Sequence, residues 1–199
     1  MLNSKLCVYG DNVQMSQSIL FVCMGNICRS PTAEGVFIKQ LQNSVFKSRI
    51  STDSGGTHGY HIGHPPDSRA IATAAKSGVD IGQLRSRKVR QSDFDDFDLI
   101  IAMDKSNLGI LKELQPKGSK AQLQLMLDYL PEEAAAQYGI SEVPDPYYGD
   151  IGDFEFMFEL LVPACQGLLT SVEQILGGGH DADHETPDDE TLSKAQMDQ

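Results

Sequence analysis

Apolar residues cluster along the chain with two different spacings. Short stretches at 19–23, 49–53, 99–103 and 124–127 have the length and side-chain pattern of β-strands. Between and after them, apolar positions recur at the three-to-four-residue spacing of helices over 31–43, 67–77, 106–114 and 153–176. The last stretch lines one face with Phe154, Met157, Phe158, Leu161, Leu168, Leu169, Val172, Ile175 and Leu176, and Pro163 inside it predicts a kink. Strand and helix alternate, and the strand at 19–23 is apolar at nearly every position rather than every second one. That combination predicts an α/β fold, three layers α/β/α around a central four-stranded parallel sheet covered on both faces. No internal repeat interrupts it.

Composition narrows the class. A chain of 199 residues with 40% hydrophobic content is long enough to bury one proper core. No uninterrupted apolar run approaches the roughly 18 residues of a membrane span. Asn3, Asp11 and Gln14 stand where a signal peptide would be apolar, so the reading is cytoplasmic, with neither membrane nor nucleic acid as partner. The cysteines Cys7, Cys23, Cys28 and Cys165, without secretory context, argue for a reducing compartment rather than a disulfide framework. Half of the formal net charge of −12 comes from residues 177–199, where seven acids face only Lys194. Such a tail has too little apolar surface to offset its ordering entropy and is expected to be a disordered, solubilising segment. The domain organisation that follows is an N-terminal extension at 1–16, a folded domain at 17–176 and the acidic tail at 177–199. Cys7, in the extension, is expected to be incidental.

Candidate chemistry concentrates in Ser18 to Gly35, which reads SILFVCMGNICRSPTAEG. A strand feeding a Gly-containing loop and a Ser-Pro helix opening builds an anion site, because the first free helix N–H groups converge on the loop. Here the site would hold the Cys23 thiol and the Arg29 guanidinium. A neighbouring guanidinium and the positive end of a helix both favour a thiolate, the nucleophilic form of cysteine. The N–H groups of Met24, Gly25, Asn26, Ile27 and Cys28 would cradle the oxygens of a phosphoryl group while Arg29 adds a bidentate fork. Gly25 and Asn26 tolerate the left-handed backbone that such a curl needs, and the Ser30 hydroxyl is within reach of the Cys23 sulfur. A second candidate lies in Val-Pro-Asp-Pro-Tyr-Tyr-Gly, where Asp145 would protonate a leaving oxygen between stiffening prolines, with Tyr147 and Tyr148 walling the cleft. By spacing alone the same residues also make an ordinary Asp-Pro surface turn.

The stretch CMGNICRSPTAE resembles the signature loop C-x-G-N-x-C-R-S-P-x-A-E of the low-molecular-weight protein tyrosine phosphatases. STDSGGTHGYHIGHPPDSRA from Ser51, FDLIIAMDKSNL from Phe97 and VPDPYYGD from Val143 match further family stretches in the family's order, so the resemblance covers about residues 18–176. It implies hydrolysis of phosphotyrosine in protein substrates through a phosphocysteine, with Cys23 as nucleophile, Arg29 as phosphate clamp and Asp145 as acid and then base. Asn26 and Ser30 resemble the family's loop-shaping asparagine and thiolate-supporting serine, and Asp104 matches an aspartate near the loop. Tyr60 stands where many relatives have Trp and would sandwich a substrate ring with Tyr147. Leu84 stands where some relatives have His, a departure that bears on the support given there to the first helix through Glu34. Relatives that carry both loop cysteines imply a reversible Cys23–Cys28 disulfide, the other reading of Cys28 being an inert buried thiol. In some relatives the tyrosines matching Tyr147 and Tyr148 are themselves phosphorylated. The resemblance implies no cofactor and no metal. His58, His61 and His64 lie in a Gly-rich loop without partners at zinc spacing. A cognate tyrosine kinase is a candidate partner, and the expected state is a monomer or weak dimer. Two other activities belong to similar sequences. Arsenate reduction needs two further cysteines close together on a mobile segment, and protein arginine phosphatases tend to carry Thr where Ile27 stands and to lack the paired tyrosines. A non-enzymatic phosphotyrosine-binding module would be expected to lack the nucleophile or the acid, and both are present.

Overall fold

The structure is a computed structural model that describes residues 5–9 and 12–178. Strand β1 (Lys5–Tyr9) and strand β2 (Asn12–Cys23) form an antiparallel hairpin, with Tyr9 opposite Asn12 and Lys5 opposite Ser16. From Gln17 onward β2 takes two parallel neighbours. One is β3 (Ile50–Gly56), registered from Gln17 opposite Ile50 to Cys23 opposite Gly56. The other is β4 (Leu99–Ala102), registered from Ile19 opposite Leu99 to Val22 opposite Ala102, and β5 (Gln122–Leu125) pairs in turn with β4. The four-stranded parallel sheet is thus ordered β3-β2-β4-β5, with β2 central, and its helices are right where a βαβ chain puts them, in the crossovers. These are α1 (Arg29–Leu41) after β2, α2 (Ser68–Lys76) and the short α3 (Asp93–Asp96) after β3, and α4 (Lys105–Leu114) after β4. Helices α5 (Glu132–Tyr138) and α6 (Ile151–Gly177) follow β5.

Successive residues of a strand face opposite sides of the sheet, so a central strand divides its side chains between two cores. Ile19 and Phe21 pack with Phe37 of α1, Ala70 of α2 and Phe154, Leu161 and Leu168 of α6. Leu20 and Val22 point the other way, to Phe94 of α3, Ile100 of β4 and Leu111 of α4. All four are fully buried, which is why this run carries no alternating pattern. Helix α6 has 27 residues and by length and composition alone is apolar enough to cross a membrane, but its apolar face is spent on the sheet as a core helix. It runs on through Pro163, whose ring leaves the Glu159 carbonyl without that helical donor. Gly167 lets it approach the turn after β5, since a Cβ there would sit 2.0 Å from the Tyr129 carbonyl oxygen.

Several boundaries differ from the sequence pattern. The segment before Ile19, read from the sequence as an extension, contributes a hairpin in which β1 pairs with the first residues of β2. The fourth parallel strand ends at Leu125, and Met126–Tyr129 forms a 3-10 turn that buries Met126 and Leu127. A short apolar run fits either conformation equally well. The chemistry of Cys7 and the order of the acidic tail beyond 178 lie outside the described residues and side chains.

Candidate active site

Central strand β2 ends at Cys23, and the chain then turns through residues 24–28 into α1 at the carboxyl edge of the sheet, where ligand crevices form in open α/β folds. Two features force the turn. Asn26 holds a φ of 55°, a left-handed conformation that asparagine tolerates better than most residues. Gly56, at the matching end of β3, leaves room for the loop backbone, because a Cβ there would lie 2.7 Å from the Met24 oxygen and 2.9 Å from the His58 oxygen. Backbone bonds from Thr57 N to Cys23 O and from His58 N to Met24 O, both 2.9 Å, seat the loop on the segment after β3. No side chain caps the start of α1, so its first N–H groups remain open toward the loop.

The sulfur of Cys23, 3% exposed, accepts a bond from Asn26 N at 3.2 Å and lies 3.1 Å from the Ser30 hydroxyl. The Asn26 carboxamide is fully engaged. Its Nδ2 donates to Ser30 Oγ at 3.0 Å and Ser54 Oγ at 2.9 Å, and its Oδ1 accepts from Arg87 N at 2.8 Å. Asn26 and Ser30 therefore stand behind the loop as its scaffold, while Cys23, Met24, Gly25, Ile27, Cys28 and Arg29 line a cavity of about 510 Å³.

Arg29 is buried, and three acceptors fix it: Asp104 Oδ2 at 2.5 Å, Asp145 Oδ2 at 2.6 Å and the Val143 carbonyl at 3.2 Å. Burial opposes its charge, but Cys23, Asp145 and Asp104 outweigh that and hold the guanidinium above its ordinary pKa. Asp104 has a second task, since its Oδ1 accepts from Asn107 N at 2.6 Å and caps α4. Cys28, buried beside the loop, is pushed up by that burial and then by Cys23, Asp67 and Asp145, so it stays a thiol. Cys23, Cys28 and Cys165 are all free thiols, and Cys165 is sealed in the core against the Ala33 carbonyl.

Asp145 lines the same cavity as Cys23, bonded to Arg29, and the cavity is also lined by Tyr60, Tyr147 and Tyr148. Tyr147 and Tyr148 meet edge to face at 4.9 Å, and Tyr60 stacks on His58 at 5.3 Å. Among the described residues no group of three or more His, Cys, Asp or Glu side chains is placed to hold a metal ion. Two contributors escaped the sequence pattern. His61 joins the cavity wall beside Tyr147, at a ring distance of 6.3 Å, and only its neighbour Tyr60 in the same loop signalled it. Arg69 stacks on Phe154 at 4.4 Å and donates to the carbonyls of Tyr147 and Gly149 at 3.0 Å each, bracing the loop that carries Asp145.

A parallel α/β sheet whose central strand ends in a loop carrying a cysteine and an arginine is the frame of the site. Comparison with known proteins specifies it. Residues 18–176 match the model of the family described as low molecular weight phosphotyrosine protein phosphatase. The low molecular weight protein-tyrosine-phosphatase YfkJ of Bacillus subtilis is 37% identical over 157 residues, 79% of this chain and 96% of that protein. The human low molecular weight phosphotyrosine protein phosphatase is 39% identical over 158 residues, 78% of this chain and 96% of its own length. A crystal structure of a protein tyrosine phosphatase from Entamoeba histolytica, with Hepes in the active site, superposes with a TM-score of 0.72 at 38% identity, covering 80% of this chain and 98% of that one. The chain belongs to the low molecular weight phosphotyrosine protein phosphatase family.

Proposed function

We propose that the protein hydrolyses phosphotyrosine in protein substrates in two displacements at Cys23. In the first, the Cys23 thiolate attacks phosphorus, the P–S bond forms as the P–O bond to the tyrosine breaks, and Asp145 gives its proton to the departing phenolate oxygen. A phenolate is a poor leaving group, so this proton lowers the barrier of that step. In the second, the Asp145 carboxylate takes a proton from water as its oxygen attacks phosphorus, the P–S bond breaks, and inorganic phosphate leaves with the thiolate restored. The loop N–H groups and Arg29 hold the equatorial oxygens through both steps. Arg29 Nη2 bonds Asp145 in the structure, so an arriving phosphoryl group takes over that donor and frees the carboxyl for the leaving oxygen.

The observation that carries this reading is the joint placement of Cys23, Arg29 and Asp145 on one cavity, with Arg29 anchored from behind by Asp104. Tyr60 and Tyr147 at the rim suit an aryl group entering between them, and Ile27 with the paired Tyr147 and Tyr148 favours phosphotyrosine over phosphoarginine. Arsenate reduction fits poorly, because Cys165 has no route out of the core to relay electrons. Cys28, in the same cavity wall, is the partner for a reversible disulfide that would protect Cys23 from over-oxidation. Kinetics with phosphotyrosyl peptides test the reading. Wild type is expected to turn over, Cys23→Ser to be inactive, and Asp145→Ala to lose about 10²-fold or more in kcat. Preference for phosphoarginine peptides over phosphotyrosine would replace the substrate assignment.

A further inference from the structure

One side chain that grips the loop after β2 has no task in these steps. Ser86 is 4% exposed, and its hydroxyl donates to the Gly25 carbonyl at 3.0 Å. A carbonyl only accepts, so the direction of this bond is fixed. The same peptide unit carries the Asn26 N–H, which donates to the Cys23 sulfur at 3.2 Å. A trans peptide is planar, with its C=O and N–H pointing opposite ways, so one rigid plate has Ser86 on one side and the nucleophile on the other. Ser86 is itself held by backbone bonds. Its N–H donates to the His64 carbonyl at 2.9 Å and its carbonyl accepts from Gly63 N at 2.8 Å, which ties it to the segment carrying Tyr60 and His61. One residue on, Arg87 N bonds Asn26 Oδ1 at 2.8 Å, and the Arg87 carbonyl accepts from Gly56 N at 2.8 Å. The hydroxyl therefore meets Gly25 from a fixed support.

We propose that Ser86 is a positioning residue for Cys23, acting through the single peptide unit between Gly25 and Asn26. Two effects combine in that peptide. A donor on the carbonyl draws electron density through the amide, and the N–H at its other end becomes a stronger donor. Gly25 places few steric limits on the peptide that follows it, so the bond on the carbonyl also sets where the N–H points. Both effects favour the charged sulfur over the neutral thiol, because a bond from an N–H to an ionised acceptor is much the stronger of the two. Without the hydroxyl, the Gly25 carbonyl loses its anchor and the Asn26 N–H is free to swing off the line to the sulfur.

This inference rests on Cys23 being the nucleophile of the proposed phosphatase, and its test is built to separate the two. Wild type and Ser86→Ala are alkylated with iodoacetamide, which reacts with the thiolate, from about pH 5 to about pH 9, and the rate at Cys23 is read by fragment mass spectrometry. Weakening one charge-assisted bond should lower the thiolate fraction of the variant at acid pH and leave it unchanged at alkaline pH, where the sulfur is ionised in both proteins. The wild-type to variant rate ratio is therefore expected to fall about threefold from the acid to the alkaline end. A looser loop that merely exposes the sulfur would scale the rate by one factor at every pH. Arg29, Cys28 and Asp145 line the same cavity and are common to both proteins, so their titration is shared by the two rates. In amide NMR spectra the Asn26 proton should lie further downfield in wild type than in Ser86→Ala. Ser86→Gly lacks the same hydroxyl and repeats both measurements should the alanine variant fail to fold. A ratio that does not change with pH overturns the role, and an unmoved Asn26 amide proton overturns the route through the peptide. Hydrolysis of p-nitrophenyl phosphate is measured alongside. Its absence in wild type would strike the phosphatase reading, whereas alkylation, which needs no turnover, still decides the place of Ser86.

Discussion

Asp104 offers the sharpest separation of stability from chemistry, because its two carboxylate oxygens have different partners. Oδ1 caps α4 through Asn107 N, and Oδ2 takes the buried Arg29 guanidinium at 2.5 Å. Asp104→Asn keeps an oxygen for the cap and removes the charge. Arg29 then retains only Asp145 and the Val143 carbonyl, so the cost is that of weakening a buried, charge-assisted bond, about 2 kcal/mol. Asp104→Ala loses the cap as well, which adds about 1 kcal/mol. Urea denaturation with linear extrapolation measures both, and the two variants should differ by that cap contribution with unchanged m-values. Catalysis should respond differently, with both variants slowed to a similar degree because both let Arg29 drift from the phosphoryl site, by about tenfold or more. Equal stability of the two variants would show that Oδ1 does not cap α4. Full activity in both would show that Arg29 is held without Asp104.

Glu34 sets a second expectation, for stability against pH. Its folded pKa lies above the unfolded value, so the native state holds the proton more tightly between 4.5 and about 7. The contribution is fully present below that window and is lost as pH rises through it, about 3 kcal/mol over the whole interval. Chemical denaturation of wild type and Glu34→Gln at a series of pH values should show their stability difference changing across that window, and a constant difference would refute the raised pKa. Gly56→Ala places a methyl group against the Met24 and His58 carbonyl oxygens. Because those are loop backbone atoms, it should cut kcat/KM for aryl phosphates by about 10²-fold while costing only about 1–3 kcal/mol of stability, measured by steady-state kinetics and thermal unfolding.

How far the fold could be read from sequence follows from what each element spends its side chains on. Ile19 to Val22 and Leu99 to Met103 are buried on both faces and announce themselves as apolar runs. Strand β3, reading ISTDSGG, is half polar, because Asp53 and Ser54 serve Arg87 and Asn26 rather than a core, and its end at Gly56 is visible only once the loop is seen against it. Helix α5 has no buried residue, so its Ala-rich turn after Pro131 carried no periodic signal. The site divides the same way. Cys23, Arg29 and Asp145 are marked by chemistry that few other residues provide, and they meet on one cavity. The residues that hold them are ordinary in type and distant in sequence. Arg69 braces the Asp145 loop from α2, and Ser54 reaches Asn26 from β3, contacts that only the tertiary fold creates.

The phosphocysteine proposed at Cys23 is the centre of the mechanism, and rapid quenching observes it directly. Asp145→Ala, mixed with p-nitrophenyl phosphate, should still form the intermediate because nitrophenolate leaves without a proton, yet should hydrolyse it slowly for want of a base. Samples quenched in alkali, where the P–S bond persists, then digested and read by mass spectrometry are expected to show a phosphoryl adduct on the peptide containing Cys23, accumulating above its level in wild type. A burst of nitrophenolate without any adduct on Cys23, or continued turnover by Cys23→Ser, would contradict the mechanism.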